Sequence, residues 1–307
     1  MIHGLVQSAS EKTQSFAGGH FALQRPQAAV YSCGKLHSFE EQCMETRLAI
    51  PYSGEWQEER VLDLFLPEAA DGRALLLIHG GGWSAGSRAG WHSVAQHFSE
   101  RGFVCASADY RLTTVPHFPH EVADVRLAMS FFRAHAEAWG FDPSRVAAMG
   151  SSAGGHLVAM LATIAPDDPL GLSPEMTVAD TRPNAAVCYC PVLDLHDGGR
   201  EGSPLFESTL AFIGGTEAER PDLYCQASPP DRITGDEPPF LIVHGDIDPT
   251  VPLATSRAMA ERLRAAGVAG ELVVLPGAHH GFGYGVATEF QKAAIRHVER
   301  FFEAHLG

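Results

Sequence analysis

The chain has 307 residues, of which 45% are hydrophobic and 19% are charged. This length and mixture suit one large globular domain with a substantial core. Its 37 acidic residues against 22 basic ones give a net charge of −15; an acidic surface repels a phosphate backbone, which disfavours nucleic-acid binding.

Residues 1–55 show weak periodicity and mixed polarity. We interpret them as an N-terminal extension. One option is that this extension forms part of a cap over the domain. The stretch SFEEQCMETRLA (38–49) has the spacing of a short helix.

From about residue 60 onward, apolar runs alternate with segments of helical spacing. A continuous apolar run that ends in glycine is typical of a buried parallel strand. The predicted strands are 60–67, 74–80, 102–110, 144–150, 184–195, 239–245 and 270–277. The predicted helices are 88–101, 120–140, 153–165, 252–267 and 288–306. This alternation predicts an α/β fold with a mostly parallel sheet and helices on both faces.

Residues 196–238 interrupt the alternation. They are rich in glycine and proline and hold one short apolar stretch, LFESTLAFIGG. We expect a small cap-like insertion above the sheet, so that residues 56–307 form a single domain.

The cysteines and the hydropathy of the chain indicate where in the cell the protein is expected. Cys105, Cys188 and Cys190 lie in apolar runs and are predicted to be buried, whereas Cys33 and Cys43 would pair only in an exported protein. No apolar run reaches the ~20 residues of a transmembrane helix, and the N-terminus lacks the basic and apolar regions of a secretory leader. We expect a cytoplasmic protein without a membrane partner, secretion after loss of a leader being the alternative. A homodimer is one option for its oligomeric state.

The stretch VAAMGSSAGGHLVAM runs from a predicted strand into a predicted helix. Gly150 and Gly154 stand two residues either side of Ser152, which gives the pattern G-x-S-x-G. The corresponding neighbours of Ser151 are Met and Ala, so Ser151 fails the pattern. The glycines are needed because a nucleophilic serine here lies on a sharp, strained turn between strand and helix.

The segment HGGGW, His79–Trp83, ends another predicted buried strand. Three successive glycines leave backbone N–H groups free to face an anion, as an oxyanion hole requires. A dinucleotide-binding loop fits badly, since Ala85 would have to replace the third glycine. Trp83 is a candidate to line the substrate pocket.

A carboxylate and a histidine follow the last two predicted strands. Asp248 lies in HGDIDPTVP and His280 in GAHHGF. Asp246 is expected in turn or capping hydrogen bonds, and His279 is the alternative base. Asp194, after another predicted strand, is a rival acid.

Ser152, Asp248 and His280 thus occur in the chain order Ser, Asp, His. This is the order of the α/β-hydrolases. Each residue follows the C-terminal end of a predicted strand, and ligands of open α/β sheets bind along that edge. The combination predicts nucleophilic hydrolysis without a metal or a cofactor.

Five segments carry a resemblance to a known family: LLLIHGGGWSAGS, ADYRL, FPHEVADVRLAMSFFRAHAEAWGFDPSRVAAMGSSAGGHL, FLIVHGDIDPTVP and GAHHGF. The chain resembles, over residues 58–305, the α/β-hydrolase esterases of the HGGGW type. These are close to hormone-sensitive-lipase-like carboxylesterases and to bacterial feruloyl and acetylxylan esterases. The resemblance implies an eight-stranded α/β-hydrolase sheet, with residues 56–307 as the catalytic domain.

The resemblance also implies roles for individual residues. Ser152 would be the nucleophile, His280 the base and Asp248 the acid that orients it. The oxyanion hole would be formed by the N–H groups of Gly81, Gly82 and Ala153.

The expected activity is hydrolysis of short-chain acyl, feruloyl or acetyl esters, small or carbohydrate-linked. The insertion of about 40 residues is too short for a large lipase lid, which favours a shallow site. An aryl formamidase would use the same residues and is the main alternative. A non-catalytic ligand receptor is disfavoured because the Ser, Asp and His are all present.

Overall fold

The computed structural model describes residues 30–31, 44–54, 59–115, 118–196 and 201–307. The option of a Cys33–Cys43 pair falls outside these residues. So does the first half of the helix predicted over residues 38–49.

The described residues form one sheet of nine strands. In chain order these are β1 (Val30–Tyr31), β2 (Glu45–Pro51), β3 (Val61–Leu66), β4 (Gly72–Ile78), β5 (Val104–Ala108), β6 (Phe141–Ser151), β7 (Ala185–Tyr189), β8 (Phe240–Gly245) and β9 (Gly270–Leu275). Eight of them have five residues or more, and the two-residue β1 adds the ninth.

Helices connect the strands. They are α1 (His92–Ser99), α2 (His120–Ala134), α3 (Ala136–Trp139), α4 (Ala153–Thr163), α5 (Pro204–Ile213), α6 (Pro221–Ala227), α7 (Leu253–Ala265) and α8 (Glu289–Leu306). Two 3₁₀ turns, Arg88–Trp91 and Pro229–Arg232, precede α1 and follow α6. None of the helices in the described part of the chain has both the length and the apolar character needed to cross a bilayer.

The strand order is β1-β2-β3-β5-β4-β6-β7-β8-β9. The strands from β5 to β9 in this order pair in parallel, and β1, β2 and β3 form an antiparallel edge. The predicted mostly parallel sheet is therefore confirmed. Parallel strands end at the same edge of a sheet, so the loops after β4, β6, β8 and β9 meet there.

Two buried cores cover the sheet, one on each face. In β4, Leu75 and Leu77 pack with α1 and α8, whereas Leu76 and Ile78 pack with α2, α4 and α7. This alternation is the period of two expected for a strand. Burial on both faces explains why β4 has a continuous apolar sequence.

The N-terminal flank differs from the sequence prediction. Helix was expected up to residue 49, but Glu45–Pro51 is strand β2, paired antiparallel with β3. The register shifts between Arg47 and Ile50, where Ala49 has a φ of 54° and donates its N–H to Asp63 at 2.7 Å. This bulge removes the alternation that identifies a strand, and pairing with β3 outweighs local helix propensity.

The cysteines in the apolar runs are buried as predicted. Cys105, Cys188 and Cys190 are free and buried, and Cys225 is free and exposed. The proposed limits of the extension and of the insertion over 196–238 stay predictions; the described part of that insertion holds α5 and α6.

Candidate active site

The turn between β6 and α4 holds Ser152 in a strained conformation, with φ 56° and ψ −122°. A β-carbon on Gly150 would lie 2.2 Å from the carbonyl oxygen of Gly154, and one on Gly154 would lie 2.2 Å from that of Ile78. Only glycine fits at either position. A non-glycine residue at positive φ stores strain and is typical of functional sites. The fold therefore holds Ser152 at the tip of this turn.

Ser152, His280 and Asp248 are joined by hydrogen bonds. The Nε2 atom of His280 lies 3.0 Å from Ser152 Oγ, and Nδ1 lies 2.7 Å from Asp248 Oδ2. An ionised carboxylate only accepts, so Nδ1 carries the proton and Nε2 is free to accept from the Ser152 hydroxyl. This is the arrangement that removes a proton from serine during attack.

The alternative residues lie elsewhere. Asp246 accepts the N–H of Gly277 at 2.6 Å, which is the turn role expected for it, and His279 is exposed. Asp194 accepts the N–H of His196 at 3.0 Å and makes no contact with His280. Among the described residues, the structure thus brings only one of the candidate acids to the histidine beside Ser152.

The side chain of Asp248 is almost completely buried and receives four donors. The N–H groups of Thr250 and Val251 bind Oδ1 at 2.8 and 2.9 Å, while His280 and His244 bind Oδ2. Burial raises the pKa of the Asp248 carboxyl, but hydrogen bonds from the histidines and from Val251 more than offset this effect. The pKa lies well below its usual range, so the carboxylate stays ionised.

His244 is a functional candidate that sequence reasoning missed. It is the second-last residue of β8, is completely buried, and places Nε2 3.1 Å from the carbonyl of Val251 and 3.2 Å from Asp248 Oδ2. Both partners only accept, so Nε2 carries the proton, and Nδ1 accepts from the Ser256 hydroxyl at 2.8 Å. The available signal was a histidine at the end of a buried strand, four residues before the acid.

His280 is the titrating group of the array. Burial lowers its pKa, whereas hydrogen bonds with Asp248 and Cys190 raise it, and the net effect is a pKa above the ordinary value of 6.5. The site therefore favours the charged, imidazolium form of His280.

The glycine loop presents unpaired backbone donors. Gly81 and Gly82 have φ values of 121° and 58°, and the carbonyl of Gly81 accepts the N–H groups of Ser84 and Ala85. No described residue accepts the N–H of Gly81, Gly82 or Ala153. The last of these starts α4, whose positive dipole end also favours an anion.

Trp83 is completely buried behind this loop. Its indole N–H donates to Nδ1 of His156 at 3.2 Å, and its ring stacks on Phe212 of α5 at 4.3 Å. Nε2 of His156 donates to the carbonyl of Ala227 at 2.8 Å. Burial lowers the pKa of His156 to about 4, so its ring is neutral and both nitrogens are satisfied.

A cavity of about 260 Å³ lies between Ser152 and α5. Its walls include the glycine loop with Trp83, the side chains of Leu205 and Ser208 from α5, and Val192, Val251 and Tyr284. Drug-sized ligand pockets measure about 300–1,000 Å³. The cavity is therefore small and predominantly apolar, and Ser152 forms part of its wall.

Two groups in the described chain bring potential metal ligands within 4.8 Å of one another: Cys190 with Asp248 and His280, and His196 with Cys225 and Asp231. In the first, the histidine and carboxylate are bonded to each other. In the second, His196 is paired with Asp231 at 2.8 Å and with Glu217 at 2.6 Å. Hydrogen bonding accounts for both arrangements.

Comparison with protein families places this geometry in a known group. The model of the BD-FAE family matches residues 62–263, and that of the TAP-like protein family matches residues 223–304. The chain belongs to the BD-FAE family. The BD-FAE match includes the glycine loop, Ser152 and Asp248, while the TAP-like match extends to His280.

Individual relatives of this BD-FAE chain are esterases by name. Esterase LipQ of Mycobacterium tuberculosis is 34% identical over 76% of this chain and 56% of its own length. An acetylxylan esterase of Xylanibacter ruminicola is 28% identical over 78% of this chain and 47% of its own. The chain thus spans about half the length of these curated relatives.

Solved structures share the fold of the BD-FAE chain. Esterase 2 of Thermogutta terrifontis, phosphonylated by sarin, is 29% identical with a TM-score of 0.68, covering 94% of this chain and 98% of that one. Its butyrate-bound structure is 30% identical with a TM-score of 0.65, covering 92% and 95%. These likenesses confirm the predicted α/β-hydrolase fold.

Proposed function

We propose that the chain is a serine carboxylesterase for short-chain acyl esters, including acetyl groups carried by carbohydrates. The observation that carries this proposal is the line of hydrogen bonds from Ser152 Oγ through His280 to Asp248, at 3.0 and 2.7 Å. The free N–H groups beside Ser152 provide the second element that acyl transfer requires.

In the proposed mechanism, His280 takes the proton of Ser152 as its Oγ attacks the ester carbonyl. Asp248 holds the proton on Nδ1, so that Nε2 is the accepting nitrogen, and it stabilises the imidazolium. The N–H groups of Gly81, Gly82 and Ala153 bind the oxyanion of the tetrahedral intermediate. His280 then gives its proton to the departing alcohol.

The second half repeats these steps with water. His280 takes a proton from a water molecule, which attacks the acyl-enzyme and releases the acid, and the proton returns to Ser152. Every proton transfer uses the same Nε2 atom.

The size of the cavity supports a short acyl group. A cavity of about 260 Å³, below the range of drug-sized pockets, favours an acetyl to butyryl chain over a long fatty acyl chain. The names of the acetylxylan esterase relative and of the butyrate-bound structure agree with this range. The same residues would serve an aryl formamidase, so the alcohol or amine partner needs a direct assay.

The decisive variant is Ser152→Ala. We expect kcat on p-nitrophenyl acetate and butyrate to fall by about 10⁴-fold or more, while the exposed control Ser144→Ala retains activity. An organophosphonate should label the wild-type chain on Ser152 and leave the variant unlabelled. Full activity in Ser152→Ala would refute the proposal.

A substrate panel tests the acyl and leaving groups. We expect turnover of acetyl and butyryl esters to exceed that of octanoyl esters, with release of acetate from acetylated xylan. Methyl ferulate and a formanilide complete the panel. Preferential cleavage of the formanilide would assign the site to amide hydrolysis instead.

A further inference from the structure

Five side chains that carry a hydroxyl line the cavity beside the nucleophile. Those of Ser151, Ser152 and Tyr284 each have a hydrogen-bonding neighbour in the chain. The hydroxyls of Ser208 and Thr250 have no hydrogen-bond partner among the described residues. These two hydroxyls are therefore available to a bound substrate, and the mechanism above uses neither of them.

Ser208 differs in this respect from the residue that follows it on α5. Thr209 turns its hydroxyl back along the helix and donates to the carbonyl of Leu205, four residues earlier, at 2.9 Å. Such a bond is the local option that a serine or threonine has inside a helix. Ser208 makes no corresponding bond to any described residue, so its hydroxyl is not satisfied by its own helix.

The hydroxyl of Ser208 lies against the glycine loop. A β-carbon on Gly82 would lie 3.0 Å from Ser208 Oγ and 3.5 Å from Ser208 Cβ. The N–H of Gly82 is one of the donors proposed for the oxyanion. Ser208 therefore lies beside the place that the reacting carbonyl group of a substrate would occupy.

The surroundings of this hydroxyl are apolar. Leu205, one helical turn before Ser208 and on the same side of α5, lines the cavity together with Val192 and Val251. An apolar wall suits the acyl part of an ester. A purely hydrocarbon chain that covered Ser208 would remove water from the hydroxyl without replacing its hydrogen bond, which is unfavourable. An acyl group with an oxygen at this point would avoid that loss.

We propose that Ser208 selects short acyl groups that carry an ether or hydroxyl oxygen close to the ester carbonyl, by donating its hydroxyl to that oxygen. Methoxyacetyl and 3-hydroxybutyryl groups are members of this class. The inference rests on the proposed function and specifies the acyl group that the same site takes. Ser208 thus determines specificity and takes no part in proton transfer.

The test compares two methyl esters of equal length, methyl butyrate and methyl methoxyacetate, in which an oxygen replaces one methylene of the acyl chain. Acid release in a pH-stat gives kcat/KM for each. Because the oxygen also changes the intrinsic reactivity of the carbonyl, the quantity that decides is the methoxyacetate-to-butyrate ratio in a variant relative to that in the wild type. We expect this ratio to fall about 5- to 10-fold in Ser208→Ala, the effect of losing one hydrogen bond.

Two control variants accompany Ser208→Ala. Ser144→Ala changes an exposed serine and should keep the wild-type ratio. Thr250→Val removes the other free hydroxyl of the cavity and should also keep the ratio. An unchanged ratio in Ser208→Ala overturns the inference, and so does a fall that occurs in Thr250→Val alone.

A binding measurement without turnover separates this inference from the proposed function. Both esters are titrated by NMR into Ser152→Ala and into the double variant Ser152→Ala/Ser208→Ala. A preference for the methoxyacetate that is lost in the double variant supports the inference even if the wild type cleaves no ester, in which case only the proposed function fails. Equal relative affinities in the two variants overturn the inference even if the wild type cleaves both esters.

Discussion

The carboxylate of Asp248 lies between two histidines, His280 toward the cavity and His244 toward the core. Two backbone N–H groups hold its other oxygen. A carboxylate fixed on both sides cannot rotate away from His280 as charge develops on the imidazole. His244 therefore influences the orientation of His280 through the carboxylate of Asp248, which both histidines contact.

His244→Leu tests this relation. The variant removes one donor from Asp248 and leaves the Ser256 hydroxyl without its acceptor, at a cost of about 1–3 kcal/mol in unfolding free energy. We expect kcat to fall about 10-fold with little change in KM, and His244→Gln to recover part of the loss by keeping a donor. Measured kcat values that match the wild type in both variants would contradict a positioning role.

Glu121 is a completely buried carboxyl in the first turn of α2. It accepts the Thr113 hydroxyl at 2.5 Å, and its Oε2 has no hydrogen-bond partner among the described residues. Burial raises its pKa from 4.5 to about 7. The folded state thus holds the proton more tightly than the unfolded state does.

The raised pKa of Glu121 determines the direction in which folding stability changes with pH. The contribution of Glu121 to stability is complete below about pH 4.5 and is lost as the pH rises through about 7. Its full size is about 3 kcal/mol. We expect Tm to fall less between pH 5 and 8 in Glu121→Gln than in the wild type. The exposed control Glu100→Gln should follow the wild type. If Tm changes with pH in parallel for all three proteins, the ionisation of Glu121 does not affect stability between pH 5 and 8.

At the scale of elements, α5 forms one wall of the cavity. Ser203 caps it by accepting the N–H of Phe206 at 3.2 Å, Pro204 occupies its first turn, and Gly214 ends it in the left-handed region. Its buried side contributes Leu205 to the cavity wall and Phe212 to the stack on Trp83. The length of the acyl group should therefore depend on this helix.

Leu205→Ala would enlarge the cavity at the wall that α5 provides. We expect the ratio of kcat/KM for hexanoyl over acetyl esters to rise about 10-fold, since one or two methylenes in an apolar pocket discriminate by this order. Leu210→Ala makes the same substitution on the same helix outside the cavity wall. If both variants keep the wild-type preference, α5 does not limit chain length.

The elements that sequence reasoning predicted well are those with strong periodicity and clear ends. The helix predicted over 120–140 ends at Gly140 in the left-handed region as expected, although the structure divides it at His135 into α2 and α3. Strand β2 was predicted as helix because its bulge breaks the alternation. Its longer pairing is with β3, and no local pattern encodes that pairing.

At the scale of the whole molecule, the parallel block from β5 to β9 brings distant parts of the chain to one edge. The edge was predictable, because each motif follows an apolar run and parallel strands share their direction. Ser152, Asp248 and His280 could be chosen for that reason. Cys190, Tyr284 and His244 could not, because their relation to the site depends on side-chain packing between loops rather than on any pattern along the chain.

The contacts of Trp83 and His156 constrain how this scaffold can be rebuilt. The neutral imidazole of His156, on α4, connects Trp83 of the glycine loop with the carbonyl of Ala227 in α6. A cap transplanted from another hydrolase would leave the indole without its stacking partner and the imidazole without its acceptor. Recombination of caps in this scaffold should therefore succeed only when the donor segment and the residues at positions 83, 156 and 212 are exchanged as a single unit.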